Sequence, residues 1–398
     1  MKIHEELSVK IADAYDVAVC GGGIAGISAA LAAARQGKKT VLFERSYMLG
    51  GLGTAGLITI YLPLCDGMGK QVSYGIAEEL LRLSVAMGEE GERPVNWLDN
   101  CGTRTEKDMR FSTSYNPQIF AILAERLLKS EGVHIIYGSQ AAAVKMNDSK
   151  IEYIITEGKS GREAYKVRSV VDATGDCDIA KFSDAPTKVF KQGNILAAWY
   201  YVLDKDGYRL NPMGCSDIPD EEKTESNKVE MIADRRFSGL ETEELSEMVC
   251  MTHDSIYNDL VKKRKNDDST IPVTIPTVPQ IRMTRKIEGE YELSSKEMHK
   301  YFETSIGMVS DWKKRGPVYE VPFETLYNGK VKNLICAGRC TSVDETLWDI
   351  MRVIPCCAVT GEAAGVAAAM SDDFTALDVK QLQEKLRNAG VVLHESDI

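Results

Sequence analysis

The chain has 398 residues, 44% apolar and 27% charged, the proportions of an ordinary soluble globular protein. That length exceeds what one hydrophobic core usually serves, so it predicts two domains or one domain with a large insertion. With 48 basic against 59 acidic residues the formal charge is -11, which argues against nucleic acid or an anionic membrane surface as partner and leaves room only for a local basic pocket.

The N-terminal stretch MKIHEELSVKIADAYDVAVC is charged and amphipathic and lacks the apolar core of a signal peptide. No stretch reaches the roughly 18 apolar residues of a spanning helix. The 10 cysteines and 5 histidines are scattered without a C-x-x-C pair, which reads as a reduced, cytoplasmic chain with no metal centre.

The first predicted element is a short apolar strand around Val17 and Val19, bounded by Asp16 and Gly21. Gly21, Gly23 and Gly26 follow as G-x-G-x-x-G. The alanine-rich stretch from Ile24 to Gln36 predicts a helix stopped at Gly37, and TVLFE predicts a buried strand ending in Glu44. Each position has a physical task. Gly21 permits a tight turn, Gly23 lets the backbone approach a pyrophosphate, and Gly26 lets helix and strand pack closely. The helix start at Ile24 and Ala25 offers N–H groups to an anion, and Glu44, followed by Arg45, can accept hydrogen bonds from ribose hydroxyls. Strand, glycines, helix, strand and acid in this order read as a dinucleotide-binding unit; glycines that only pack would not require Glu44.

The next residues, RSYMLGGLGTAG, add Gly50, Gly51, Gly53 and Thr54. Here the sequence resembles the glutathione-reductase-like class of FAD enzymes, which carry a G-G element at this place in the flavin cleft. VVDATGDCD gives a second resemblance, its Asp172, Ala173, Thr174, Gly175 and Asp176 matching the A-T-G-D element that ends a strand near that cofactor. Further on, a helix opened by Asn116-Pro117 and stopped near Gly132 leads into a strand. An antiparallel meander follows, with turns at Asn147-Asp148 and Lys159–Gly161. From about Lys181 to Tyr327 the pattern changes. The charge runs DEEKTESNK and KKRKNDD read as solvated faces, and the proline-spaced run around Ile281 and Ile287 suggests strands of a substrate domain capping the flavin.

Near the end, a strand runs into Gly338-Arg339, and a helix starts near Pro355 and carries Gly361, Ala363, Ala364 and Gly365. In the class that this resembles, the helix N-terminus points at the flavin's pyrimidine edge, where negative charge appears on reduction. IRMTRKIEGEYEL and YEVPFETLYNGKVKNLICAGRC narrow the likeness to the bacterial FAD-dependent oxidoreductase family related to fumarate-reductase flavoproteins, with Thr284 and Lys286 departing from the usual serine and arginine. The resemblance implies an α/β fold: a Rossmann-like FAD-binding domain with an inserted β-meander, over 1–180 and 328–398, and a second α+β substrate domain over 181–327. It also implies bound FAD, held by the glycines and acids above with Ala173, Thr174, Gly175, Asp176, Gly338, Arg339, Cys357 and Gly361.

A flavin carries hydride chemistry in its own ring, so the protein need only position the substrate and handle a proton. Arg352 in DIMRVIP, just before the flavin helix, is the first candidate to hold a substrate anion. Arg282 and Arg285, three apart, would face opposite sides of a strand, so at most one looks at the site. Glu345 and Tyr291 are weaker acid–base candidates. Cys356, at a helix start, could carry a thiolate of lowered pKa, although Cys356 and Cys357 read more simply as small packing residues, as do Cys336 and Cys340. The expected activity is FAD-dependent hydride transfer from a small organic substrate, with an unidentified electron acceptor, since no second G-x-G-x-x-G supplies a nicotinamide domain. The alternatives are a flavin monooxygenase using NAD(P)H, or a non-catalytic FAD-binding partner or sensor protein.

Overall fold

The first strand is longer than its apolar stretch: Lys10–Cys20 forms one strand, exposed as far as Ala14 and buried from Val17 onward. The reason is its partner. Residues 10–14 are exposed but pair with Glu163–Lys166, so backbone hydrogen bonds extend the strand beyond its apolar stretch. This computed structural model describes residues 3–87, 94–99, 108–214, 224–226 and 231–398.

A seven-stranded sheet organises the chain. Its parallel part takes His134–Tyr137, Thr40–Glu44, Lys10–Cys20, Gly161–Asp172 and Leu334–Cys336 in that spatial order. In order along the chain these strands stand 3-2-1-4-5, the doubly wound arrangement, so the switch point falls between Lys10–Cys20 and Gly161–Asp172. The meander is present as expected. Ser139–Asn147 and Lys150–Gly158 pair antiparallel, and the latter pairs with Gly161–Lys166. Gly161–Asp172 therefore serves two neighbours on one side, the meander first and then Leu334–Cys336. Its turns hold Asp148 and Gly161 at positive φ.

Two helices of small residues cover one face of the switch point. Ile24–Arg35 and Ile354–Met370 are buried along nearly their whole length. A Cβ on Gly361 would lie 2.3 Å from the carbonyl oxygen of Ala25, and one on Gly365 2.2 Å from that of Ala29. The glycine spacing thus brings the two helix backbones into contact, and it is what a larger residue would break. The helix Pro117–Ser130 is capped by Asn116, whose side chain accepts from the N–H groups of Gln118 and Ile119.

The chain between the meander and the last parallel strand forms a smaller layer. Gly207–Asn211, Tyr200–Asp204 and Ile271–Thr274 make a three-stranded sheet, backed by the long helix Thr242–Arg264 through Ile256 and Leu260. KKRKNDD ends that helix as an exposed face, whereas most of DEEKTESNK lies outside the described residues. The hairpin Ser305–Ser310/Val318–Pro322 packs with the main core through Ile306, Val309, Tyr319 and Val321. Residues assigned to the cap by sequence up to 327 therefore contribute to the core beneath Ile354–Met370. Among the described residues no single helix is long and apolar enough to cross a membrane.

One buried acid in this core makes the fold pH-sensitive. Glu362, on Ile354–Met370, accepts the N–H of Ile76 at 2.8 Å and so caps the helix Ile76–Ser84 from a distance. Burial pushes its carboxyl up to about 8. The unfolded chain releases this proton near 4.5 while the folded chain keeps it, so the native state loses up to ~1.4 kcal/mol per pH unit as pH rises from about 4.5 towards 8. Glu362→Gln keeps an oxygen for Ile76 and removes the titration. Thermal unfolding followed from pH 5 to pH 9 is expected to show a declining wild-type midpoint that crosses below that of the variant; parallel curves contradict the assignment.

Candidate functional site

The carboxyl ends of the switch-point strands open into a cavity of about 530 Å³. Cys20, Gly21, Gly23, Ile24 and Ala25 form its floor, continued by Ala173, Thr174, Gly175 and Asp176 from the neighbouring strand. The three motif glycines have different neighbours. Gly21 takes φ +103 with Ala173 against it, and a Cβ on Gly26 would lie 1.8 Å from the Gly21 carbonyl oxygen. A Cβ on Gly23 meets nothing within 4 Å. Gly21 and Gly26 are therefore closed by protein, and Gly23 by open cavity. No side chain caps the helix start at Gly23, so its N–H groups remain available to an anion.

Glu44 stands at the cavity edge, 7% exposed. Its Oε2 accepts the N–H of Gly22 at 2.7 Å and its Oε1 the N–H and hydroxyl of Ser46. The acid thus fixes the glycine turn as well as facing the cavity. Arg45 beside it is exposed and also lines the space. The second glycine element docks on the first: the Gly50 N–H donates to the Gly22 carbonyl at 2.8 Å, and Gly50, Gly51 and Gly53 line the cavity. Thr54 does not. Its hydroxyl donates to the Leu49 carbonyl and closes the turn behind them.

The opposite wall comes from Gly338, Arg339, Arg352, Ile354 and Cys357. Arg339 is a tie: its guanidinium donates to the carbonyls of Ile281 and Arg282 and pairs with Asp176 at 3.2 Å. It joins the irregular segment around Ile281 and Arg282 to the A-T-G-D loop. Ile354–Met370 starts at this wall with no side-chain cap, presenting a second open helix N-terminus. Asp178, which sequence reasoning did not single out, lines the cavity with its carboxyl raised to about 6 by burial and by the nearby Asp176 and Asp172.

Arg352 reaches the cavity as a member of a buried triad. It ends the short helix Glu345–Met351, and its Nε donates to Asp349 Oδ1 at 2.7 Å. Lys313, from the loop of the hairpin, pairs with Asp349 Oδ2, and Trp312 donates to the Asp349 carbonyl. Asp349 is fully buried. Burial opposes its ionisation, yet Arg352 and Lys313 together hold its carboxyl below the usual range. One carboxylate between two cations leaves the group with one net positive charge at the cavity wall. Nothing near DIMRVIP announces Lys313, 39 residues away in sequence.

Several expected site residues lie elsewhere. Arg282 is not on a strand; it is buried beside the Trp199 ring, donates to the Gln280 carbonyl, and does not line the cavity. Arg285 opens the short strand Arg285–Ile287 and braces the A-T-G-D loop from outside, through the Asp176 carbonyl and Asp178. The alternation expected of one strand fails because residues 275–284 are irregular. Gly361 faces Ala25 in the helix pair, and Gly26 the Gly21 turn, so both act through packing. Cys356 is buried away from the cavity, and burial drives its thiol well above the ordinary value. Burial also pushes Cys357, at the wall, to about 12, so the helix start does not produce a thiolate at either residue. Tyr291 donates to Glu297 in a surface network, and neither it nor Glu345 lines the cavity. Sequence reasoning missed Gly239, Leu245 and Thr277–Pro279, which also line the cavity; only the proline-spaced run around 272–279 hinted at them.

An open glycine turn, two uncapped helix starts and an acid after the second strand make a cradle for a dinucleotide with a flat ring. The family comparison agrees. Residues 16–198 and 211–386 match the family described as FAD dependent oxidoreductase. A putative bifunctional amine oxidase of Dictyostelium discoideum is 36% identical over 92 residues, 22% of this chain and 8% of that protein, so the chain matches only a small part of this relative's length. Among solved structures, a geranylgeranyl bacteriochlorophyll reductase-like protein of Thermoplasma acidophilum is similar at 13% identity and TM-score 0.46, covering 95% of this chain and 82% of that one. A p-nitrophenol 4-monooxygenase of Pseudomonas putida gives 10% and 0.47, covering 95% and 85%. A flavocytochrome c3 fumarate reductase gives 14% and 0.42, covering 90% and 79%.

Proposed function

The chain belongs to the family of FAD dependent oxidoreductases, and from that premise we propose that it moves a hydride between a small organic anion and the N5 of bound FAD. FAD supplies the hydride chemistry, and the electrons pass to an external acceptor. The residues of the chain bind, orient and exclude. The open turn at Gly23 and the uncapped start of Ile24–Arg35 would hold the pyrophosphate, and Glu44 the ribose. The start of Ile354–Met370 places partial positive charge at the opposite wall, which would favour a ring that gains electron density there. The cap residues Thr277, Val278, Pro279 and Ile281 cover the cavity and keep water from the reacting atoms.

The observation that carries the substrate reading is Arg352. It is the cavity-lining cation whose geometry is set from behind by Asp349, which leaves its other N–H groups for a carboxylate or phosphate. Arg352→Ala leaves Asp349 paired with Lys313, so the fold is expected to survive with FAD bound. Turnover should fall ~10- to 100-fold in kcat/KM for anionic substrates, the worth of one charge-assisted pair. Anaerobic bleaching of the flavin by a panel of acids, amines and sugars identifies the substrate, and the Arg352→Ala chain then gives the comparison. Unchanged turnover with normal flavin content removes Arg352 from the site. NAD(P)H consumption stimulated by an aromatic compound would establish the monooxygenase reading instead.

A further inference from the structure

On the FAD reading, which this inference takes as its premise, the cofactor lies along the cavity in a fixed order. With the pyrophosphate at Gly23 and its ribose at Glu44, the base on that ribose falls at the end of the cavity beyond Glu44. Three elements close that end. Arg45 and Ser46 follow the strand Thr40–Glu44, residues 139–141 open the strand Ser139–Asn147, and Asp178 opens the short helix Asp178–Phe182. They are joined locally: Gly138 donates its N–H to the Ser46 carbonyl at 3.2 Å, and Ile179 and Ala180 share a buried cluster with Ala141.

We propose that the Asp178 carboxylate accepts a hydrogen bond from the 6-amino group of the adenine of FAD, and so selects an aminopurine over an oxopurine dinucleotide. Its Oδ1 faces Arg285 at 3.4 Å, and Arg285 stands outside the cavity, so that pair holds the carboxylate from behind. Oδ2 has no hydrogen-bond partner among the described residues, and the side chain, 32% exposed, lines the cavity. Oδ2 is therefore left to accept from a ligand.

Adenine presents an N–H donor at its 6-position, where a 6-oxopurine presents an oxygen. An ionised carboxylate accepts from the first and is repelled by the second, so one group supplies both the attraction and the rejection. Burial, with Asp176 and Asp172 nearby, raises the Asp178 carboxyl to about 6, while Arg285 and Arg45 act against the shift. At pH 8 the group is therefore ionised and purely an acceptor.

The alternative is that Asp178 serves only its own chain, as an acid in the first turn of its helix tied to Arg285. Replacing it would then weaken both kinds of dinucleotide alike. The two roles differ in the ratio of the affinities, not in either affinity alone.

The test uses the purified full chain, equilibrated at pH 8 with a large excess of equimolar FAD and flavin hypoxanthine dinucleotide, its 6-oxo counterpart. After gel filtration the bound flavins are separated and counted. The wild type is expected to retain FAD over the 6-oxo compound ~10- to 100-fold, the worth of one hydrogen bond to a charged group. In Asp178→Asn and in Asp178→Ser the ratio should fall to within about threefold of unity, because a neutral amide or hydroxyl can serve either purine. Two variants are used so that one folded chain suffices. A wild-type ratio near one, or a folded variant that keeps the wild-type ratio, overturns the assignment. A chain that takes up neither dinucleotide overturns the FAD reading itself, and the inference falls with it.

Discussion

A Gly23→Val chain is expected to fold and to emerge from purification without FAD. The two halves of that statement rest on one observation. A Cβ at Gly23 meets no protein atom within 4 Å, and the residue has φ -70, which valine tolerates. The fold should lose only the helix-start preference for glycine over a branched residue, about 1 kcal/mol. The cavity, however, receives two methyl groups where a pyrophosphate must lie against backbone. FAD affinity should fall at least ~100-fold, or ~2.7 kcal/mol. Gly26→Val is the control with the opposite signature, since its Cβ lies 1.8 Å from the Gly21 carbonyl oxygen and disrupts the turn itself. Unfolding midpoints and flavin content of both variants separate the outcomes. A yellow Gly23→Val protein of wild-type affinity would show that the cofactor does not approach this turn.

Asp349→Asn is expected to be the most destabilising single charge removal in the site. Asp349 is completely buried and holds Arg352, 9% exposed, and Lys313, 21% exposed. Neutralising it leaves two cations facing each other across an amide in a dry wall. Removing one partner of such a group costs about 3–5 kcal/mol, reduced here because Lys313 can turn partly to water, so ~3 kcal/mol is the expected loss in denaturant unfolding. Activity should fall further than Arg352→Ala predicts for stability reasons alone, because the guanidinium loses its orientation. Lys313→Met should restore part of the stability in the Asp349→Asn background by removing the second unpaired cation. Simple additivity of the two substitutions contradicts the triad.

The difference between these two cases explains what could be read in the sequence. The glycine turn, the helix after it and Glu44 are local: strand, turn, helix and acid follow within thirty residues, and each choice has a steric reason. The meander was legible because its strands are consecutive and its turns carry Asp148 and Gly161. The triad was not. Lys313 and Asp349 meet only because a hairpin assigned to the cap folds back under the flavin helix, and no periodicity records a contact between a hairpin loop and a distant helix. Arg282 and Arg285 failed for a related reason. The proline-spaced run suggested strands, and alternation along the one carrying both arginines would aim one of them inward, but residues 275–284 are irregular, so backbone carbonyls decide where both side chains go. Likewise Cys177 meets Cys336 only because the parallel sheet brings together strands more than 150 residues apart.

The most direct measurement of the whole account is the visible spectrum of the purified chain, repeated on the supernatant after heat release. The purified chain is expected to be yellow and to release intact FAD near one equivalent per chain. A colourless chain that neither carries nor takes up FAD would contradict it, and would leave the open turn at Gly23 to a different dinucleotide.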